Sequence, residues 1–154
     1  MDVRSIEPFL SAMNSVMPGL GFKEVKRGRI SVSETNKIAS LGVMVVIGLT
    51  QQVRGNIAYN MTEDSAKRIA STMMMGMPVE SFDAMAESAI AELGNMLAAN
   101  AAMILEQQGA RLDISPPTVI TGNSFANSVT AAKRLNIEMF VDGIPLEVNV
   151  SFVT

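Results

Sequence analysis

A chain of 154 residues, 48% hydrophobic and 18% charged, is long enough for one domain with its own core and too apolar to stay disordered. Twelve Lys and Arg against fifteen Asp and Glu leave a net charge of -3, so no broad attraction to nucleic acid or anionic lipid is available. The absence of Cys and His excludes disulfides, thiolate nucleophiles, imidazole bases and zinc or haem ligation, leaving carboxylate oxygens as the sole metal ligands.

The opening residues Met1 to Pro8 lack the basic and apolar regions of a secretory signal, and the longest apolar run, Leu41 to Leu49, is too short to span a bilayer. A cytoplasmic protein with no membrane partner is expected. Ile6, Phe9, Leu10, Met13, Val16 and Met17 fall at helical spacing, and Pro18-Gly19 ends that pattern. Phe22 to Asn36 is ambiguous, although Ile30 and Val32 favour a strand. Val43 to Thr50 and Val53 to Met61 read as two antiparallel strands turning at Gln51-Gln52. Thr62, followed by Glu63 and Asp64, is a helix N-cap with acidic residues at the positive end; that helix carries Ala66, Ile69, Ala70 and Met73 inward and stops at Gly76.

After the Met77-Pro78 linker, a helical pattern runs without proline from Ser81 to Gly109, roughly 28 residues or about 42 Å. Ser115-Pro116-Pro117 forces an extended segment, Thr118 to Thr121 reads as a short strand, and Gly122-Asn123 as a turn. Two last strands, Ser128 to Val141 and Ile144 to Val153, flank the hairpin dipeptide Asp142-Gly143. The order suggests an α+β fold: an antiparallel sheet with helices on one side, pseudo-repeated α-β-β-β units, and one long central helix beginning the second copy. One domain over residues 1–154 is expected.

On the long helix, Ser88, Glu92, Asn95 and Ala99 share one stripe while Ile90, Leu93, Leu97 and Ile104 point elsewhere. Small residues surround the acid and the amide: Gly94, Ala91, Ala98, Ala99, Ala101 and Ala102. That leaves room for another protein surface. A Glu-x-x-Asn pair is common on the solvated face of ordinary helices, but Gly94 beside Asn95 costs about 1 kcal/mol or more against alanines. Either docking or close packing of the helix on the sheet offsets that cost. Elsewhere, the thirteen methionines read chiefly as core filling, with Met85, Met96 and Met103 candidates for an interface. Lys23, Lys26, Arg27 and Arg29 read as a solvated or edge-protecting strand, and Pro116 and Pro117 as the exit from the helix region.

Ser88-x-x-x-Glu92-x-x-Asn95, the stretch Ala91 to Met96, and Asp113-Ile114-Ser115-Pro116-Pro117-Thr118-Val119 resemble the CheC/CheX/FliY family of chemotaxis phosphatases, most of all its CheX branch. The resemblance implies an enzyme that hydrolyses the aspartyl phosphate of a CheY-type response regulator. It assigns Glu92 and Asn95 to the catalytic site, Glu92 pairing with a lysine of the regulator, and Ser88, Ala91, Met96 and Ala99 to docking. Asn95 suits the water-orienting role because an amide donates and accepts at once, whereas a carboxylate would repel the phosphoryl oxygens. The first helix offers Ser11 and Asn14 without a glutamate, so one active site per chain is expected. The resemblance also implies a homodimer joined at strand edges, and a divalent metal, magnesium, held by the regulator while this chain holds no cofactor of its own. The rival reading is a non-catalytic adaptor of the flagellar-switch kind.

Overall fold

The apolar spacing near the N-terminus folds as helix α1, Glu7–Val16, which buries Pro8, Phe9, Ala12 and Met13. A 3-10 turn, Met17–Leu20, follows, and Gly21 closes it at φ 105°. In this computed structural model residues 6–34, 37–122, 125–127 (backbone only) and 134–152 are described. Asn36, Asn123, the stretch 128–133 and Val153, which carry parts of the expected strands and turn, lie outside them.

Among the described residues there are nine strands, which follow the sequence signals more closely in the middle than at the edges. They are β1 Val25–Ser33, β2 Lys37–Ala39, β3 Gly42–Gln51, β4 Gly55–Thr62, β5 Leu112–Ile114, β6 Thr118–Thr121, β7 Phe125–Asn127, β8 Arg134–Val141 and β9 Ile144–Phe152. The main sheet runs β1-β8-β9-β4-β3-β5, with β6 also on β3; β2 and β7 form a separate pair. Every described pairing is antiparallel. Exchanging the chain halves reverses this order onto itself: β1 answers to β5 and β6, β3 to β8, and β4 to β9. Each half lends its edge strand to the other, so the expected repeat is real and interlocked.

Helices α2, Glu63–Met73, and α3, Ala84–Gln107, join α1 on one face. On that face β8 buries Leu135, Ile137, Met139 and Val141, as a sheet with one helix-covered side requires. The central strands are covered behind as well. Ile38 of β2 packs with Met44 and Ala58 on the opposite face, against Val46 and Ile120. The expected cap at Thr62 is present, its hydroxyl accepting the Ser65 N–H at 3.1 Å. The long helix starts later than Ser81 because the Asp83 carboxylate caps it, accepting the Ala86 N–H at 2.9 Å. By length and composition α3 could cross a membrane. Its apolar stripe, however, is committed to the sheet, with Ile90, Leu93 and Leu97 at most 1% exposed.

Gly94 explains how closely α3 sits. A Cβ there would stand 2.7 Å from Val45 Cγ1 and 3.3 Å from Val45 Cβ, so only glycine lets the helix rest on the middle of β3. Ala98 and Ala101 are likewise buried. Packing on the sheet, not room for a partner, accounts for these three small residues. Gly94→Ala is expected to lower stability by about 1–2 kcal/mol, overpacking outweighing the roughly 1 kcal/mol gained in helix propensity. Urea unfolding measures it, and a stabilised variant would refute the contact.

Tyr59, the one tyrosine, is buried on β4, and desolvation raises its phenol above the ordinary 10.0. The fold therefore favours the neutral form. That contribution is complete below about pH 10 and is lost as pH rises, because the unfolded phenol ionises and the folded one does not. Phenolate absorbance should be absent from the native protein at about pH 11 and appear only with unfolding. Its appearance in the folded state would contradict the burial.

Candidate functional site

The seating of α3 on β3 leaves one flank of the helix facing the sheet edge where β5 and β6 meet. There a groove of about 520 Å³ is lined by Ser88, Ala91, Glu92 and Asn95 on one side. Ile114, Ser115, Pro116 and Pro117 line the other. Ser88 and Glu92 are exposed; Ala91 and Asn95 are half-buried. Spacings of four and three residues set Ser88, Glu92 and Asn95 on successive turns of the same flank. Among the described residues neither Glu92 nor Asn95 spends its polar atoms on a hydrogen bond or ion pair within the chain. An acid and an amide thus stand one turn apart on the same flank, facing solvent and open to a partner.

Of the residues assigned to docking, Ser88 and Ala91 line the groove. Met96 and Ala99 do not. Ala99 is exposed on the stripe beyond Asn95, and Met96 is half-buried. Met85 and Met103 are 64% and 52% exposed. Their positions place them with Met96 along the helix side away from the proline segment.

The proline segment was undervalued by sequence reasoning. Read as an exit from the helix region, Pro116 and Pro117 instead form the wall opposite the acid and the amide. The signal was in the sequence: two prolines cannot donate to a ladder, so within a strand they mark an edge or a bulge. The ladders bear this out. β3 pairs Leu49 with Ile114 and Val46 with Thr118, so β3 advances three residues while the edge chain advances four. The extra residue is accommodated across Ser115-Pro116-Pro117, as in a β-bulge beside a site.

The basic cluster lies where an edge-protecting strand was expected. Lys26, Arg27 and Arg29 are exposed on β1, which pairs only with β8 among the described strands. A second groove of about 450 Å³, at α2 and the β8–β9 turn, mixes Asp64 and Asp142 with Lys67 and Arg68. It holds neither the acid nor the amide of the motif. Among the described residues no three acidic side chains gather as metal ligands do.

Comparison with known proteins identifies what this arrangement is similar to. The family model described as chemotaxis phosphatase CheX matches residues 43–139, a span that includes α3 and both walls of the groove. The CheY-P phosphatase CheX of Thermotoga maritima is 35% identical over 141 residues, 91% of this chain and 90% of that protein. A chemotaxis protein CheX from Desulfovibrio desulfuricans has the same fold at TM-score 0.86 and 20% identity, over 98% of this chain and 100% of that one. CheX of Borrelia burgdorferi, solved in a CheX-CheY-BeF3-Mg2+ complex, superposes at TM-score 0.79 with 26% identity, over 99% and 100% of the two chains.

Proposed function

The chain belongs to the CheX family of chemotaxis phosphatases, and from that premise we propose that it hydrolyses the aspartyl phosphate of a CheY-type response regulator, with Asn95 orienting the attacking water and Glu92 docking to a regulator lysine. The observation that carries this reading is the pair itself: exposed Glu92 and half-buried Asn95 on one helix flank, unengaged within the chain, at the mouth of a walled groove.

An acyl phosphate is already reactive, so its hydrolysis needs positioning more than a strong base. The water oxygen forms a bond to phosphorus as the bond from phosphorus to the aspartyl oxygen breaks. The aspartate carboxylate leaves with the electron pair, and the water proton passes to the phosphoryl oxygens. Asn95 holds the water by accepting from it and donating alongside, without adding negative charge. Glu92 lies about one turn away and meets a lysine ammonium through a charge-assisted hydrogen bond that fixes the helix in register. Ser88 and Ala91 shape the approach, and Ala99 and Met96 extend the contact along α3.

The divalent cation, taken as magnesium, is the regulator's own and neutralises phosphoryl charge there. The same reading places the chain in the cytoplasm with its substrate, as a homodimer joined through a sheet edge. The described pairings leave the outer sides of β1 and of β5–β6 available for that.

Release of labelled phosphate from a phosphorylated CheY-type regulator tests the activity. A switch-type adaptor would bind without shortening the phosphoryl lifetime. Asn95→Ala should keep regulator binding and lose about 100-fold in hydrolysis, the scale of one transition-state hydrogen bond. Turnover within about tenfold of the parent would overturn the assignment. Glu92→Ala should chiefly weaken engagement, by about tenfold or more in titration with phosphorylated regulator. An unchanged affinity would remove the docking role.

A further inference from the structure

The bulge opposite Asn95 is held by one side chain. Ser115 engages both edge-facing backbone groups of Gly48: the Gly48 N–H donates to Ser115 Oγ at 2.7 Å, and the Ser115 N–H donates to the Gly48 carbonyl at 2.9 Å. The same hydroxyl donates to the Pro116 carbonyl at 3.2 Å. In a regular ladder the Gly48 N–H would find a main-chain carbonyl. Here the extra residue has turned that acceptor away, and a hydroxyl replaces it. Gly48 leaves room for this contact, since a Cβ there would stand 3.3 Å from Ser115 Oγ, tighter than ordinary packing. Pro116 and Pro117 follow at once, with φ fixed by their rings and no N–H to pull them back into the ladder. A hydroxyl staple at the base and two rings above it make a stiff wall, with Pro116 exposed at the rim and Asn95 across the groove.

Resting on the phosphatase reading above, we propose that Ser115 is a positioning residue for regulator docking. Its hydroxyl holds the Pro116-Pro117 bulge as a preformed wall against which the regulator seats, and so sets affinity for the phosphorylated regulator without touching the reacting atoms. The structural alternative is that the prolines merely protect a sheet edge from pairing. The two differ in what they change. Edge protection alters stability or association, whereas a docking wall alters KM.

Steady-state phosphate release from a phosphorylated CheY-type regulator, with thermal unfolding of each variant alongside, separates them. Ser115→Ala should raise KM about fivefold while kcat stays within about twofold, the scale of losing the hydroxyl's neutral hydrogen bonds that hold the wall. Ser115→Thr, which keeps the hydroxyl, should return KM to within about twofold of the parent. Should Ser115→Ala fail to fold, Pro116→Ala at the exposed rim relaxes the same bulge and should raise KM in the same direction. A parental KM in a folded Ser115→Ala or Pro116→Ala variant overturns the proposal, as does a fall in kcat at unchanged KM. If the parent chain itself does not shorten the phosphoryl lifetime, it is the phosphatase reading that fails.

Discussion

The approach of α3 to β3 at Gly94 governs the geometry of the whole site. With no side chain at the contact point, the helix rests against Val45 and Ile47, their nearest atoms 2.7 and 3.6 Å from where a Cβ would stand. The roughly 1 kcal/mol that glycine costs in a helix interior is small beside the burial of Ile90, Leu93 and Leu97, each worth about 1.5–3 kcal/mol. A helix held further off would lift Asn95 away from the edge chain. The groove exists because the helix is low enough for its flank to face the rim of the sheet it covers.

That rim repeats with a difference. Both edge chains carry one residue more than the strand they pair with: between Arg27 and Ile30 on β1, and between Ile114 and Thr118 at the other edge. The first bulge is stabilised from the neighbouring strand, where the Glu138 carboxylate accepts the Arg29 N–H at 3.0 Å. The second is stabilised from within, by Ser115. Only the second contains two prolines. The helices diverge in parallel, since α1 carries an exposed Asn14 with half-buried Ser11 in place of a glutamate, and α3 carries the full pair. The architecture supplies two equivalent places, and one of them carries the Glu-x-x-Asn pair.

How far the sequence spoke for itself followed from where the information lies. Elements whose apolar spacing faces a single core were legible: α1, α2, α3, β3, β4 and β9 fall within a few residues of their expected spans, and β8 ends at Val141 as expected. β2 and β5 were missed because three residues of Lys-Ile-Ala or Leu-Asp-Ile have no period to read; pairing across the chain makes them strands. The start of α3 was misplaced because Ser81 and Asp83 are both good caps and only the fold decides between them. Glu92 and Asn95 could be named from spacing and family resemblance. The opposite wall could not, because nothing local to Ser115-Pro116-Pro117 states that α3 will lie across from it. Gly94 was ambiguous for the same reason, since a glycine admits close approach without saying which neighbour approaches.

A chain without Cys or His has few ways to make its own nucleophile or general base near neutral pH. The arrangement at α3 suits a reaction in which that is no handicap. When the labile bond, the metal and the leaving carboxylate all arrive on the partner, the missing contributions are a water held in line and a surface that fixes two proteins in register. Well-oriented reactants gain effective molarities of about 10⁵ M or more, which is far more than a weak surface base would add. Such a site depends on rigidity rather than reactivity. Its demands are a helix that cannot ride up from its sheet, an amide kept free of internal partners, and an opposing wall that does not move. On the proposed reading, Gly94 on Val45, the unengaged Asn95 and the stapled proline bulge are those three requirements expressed as packing.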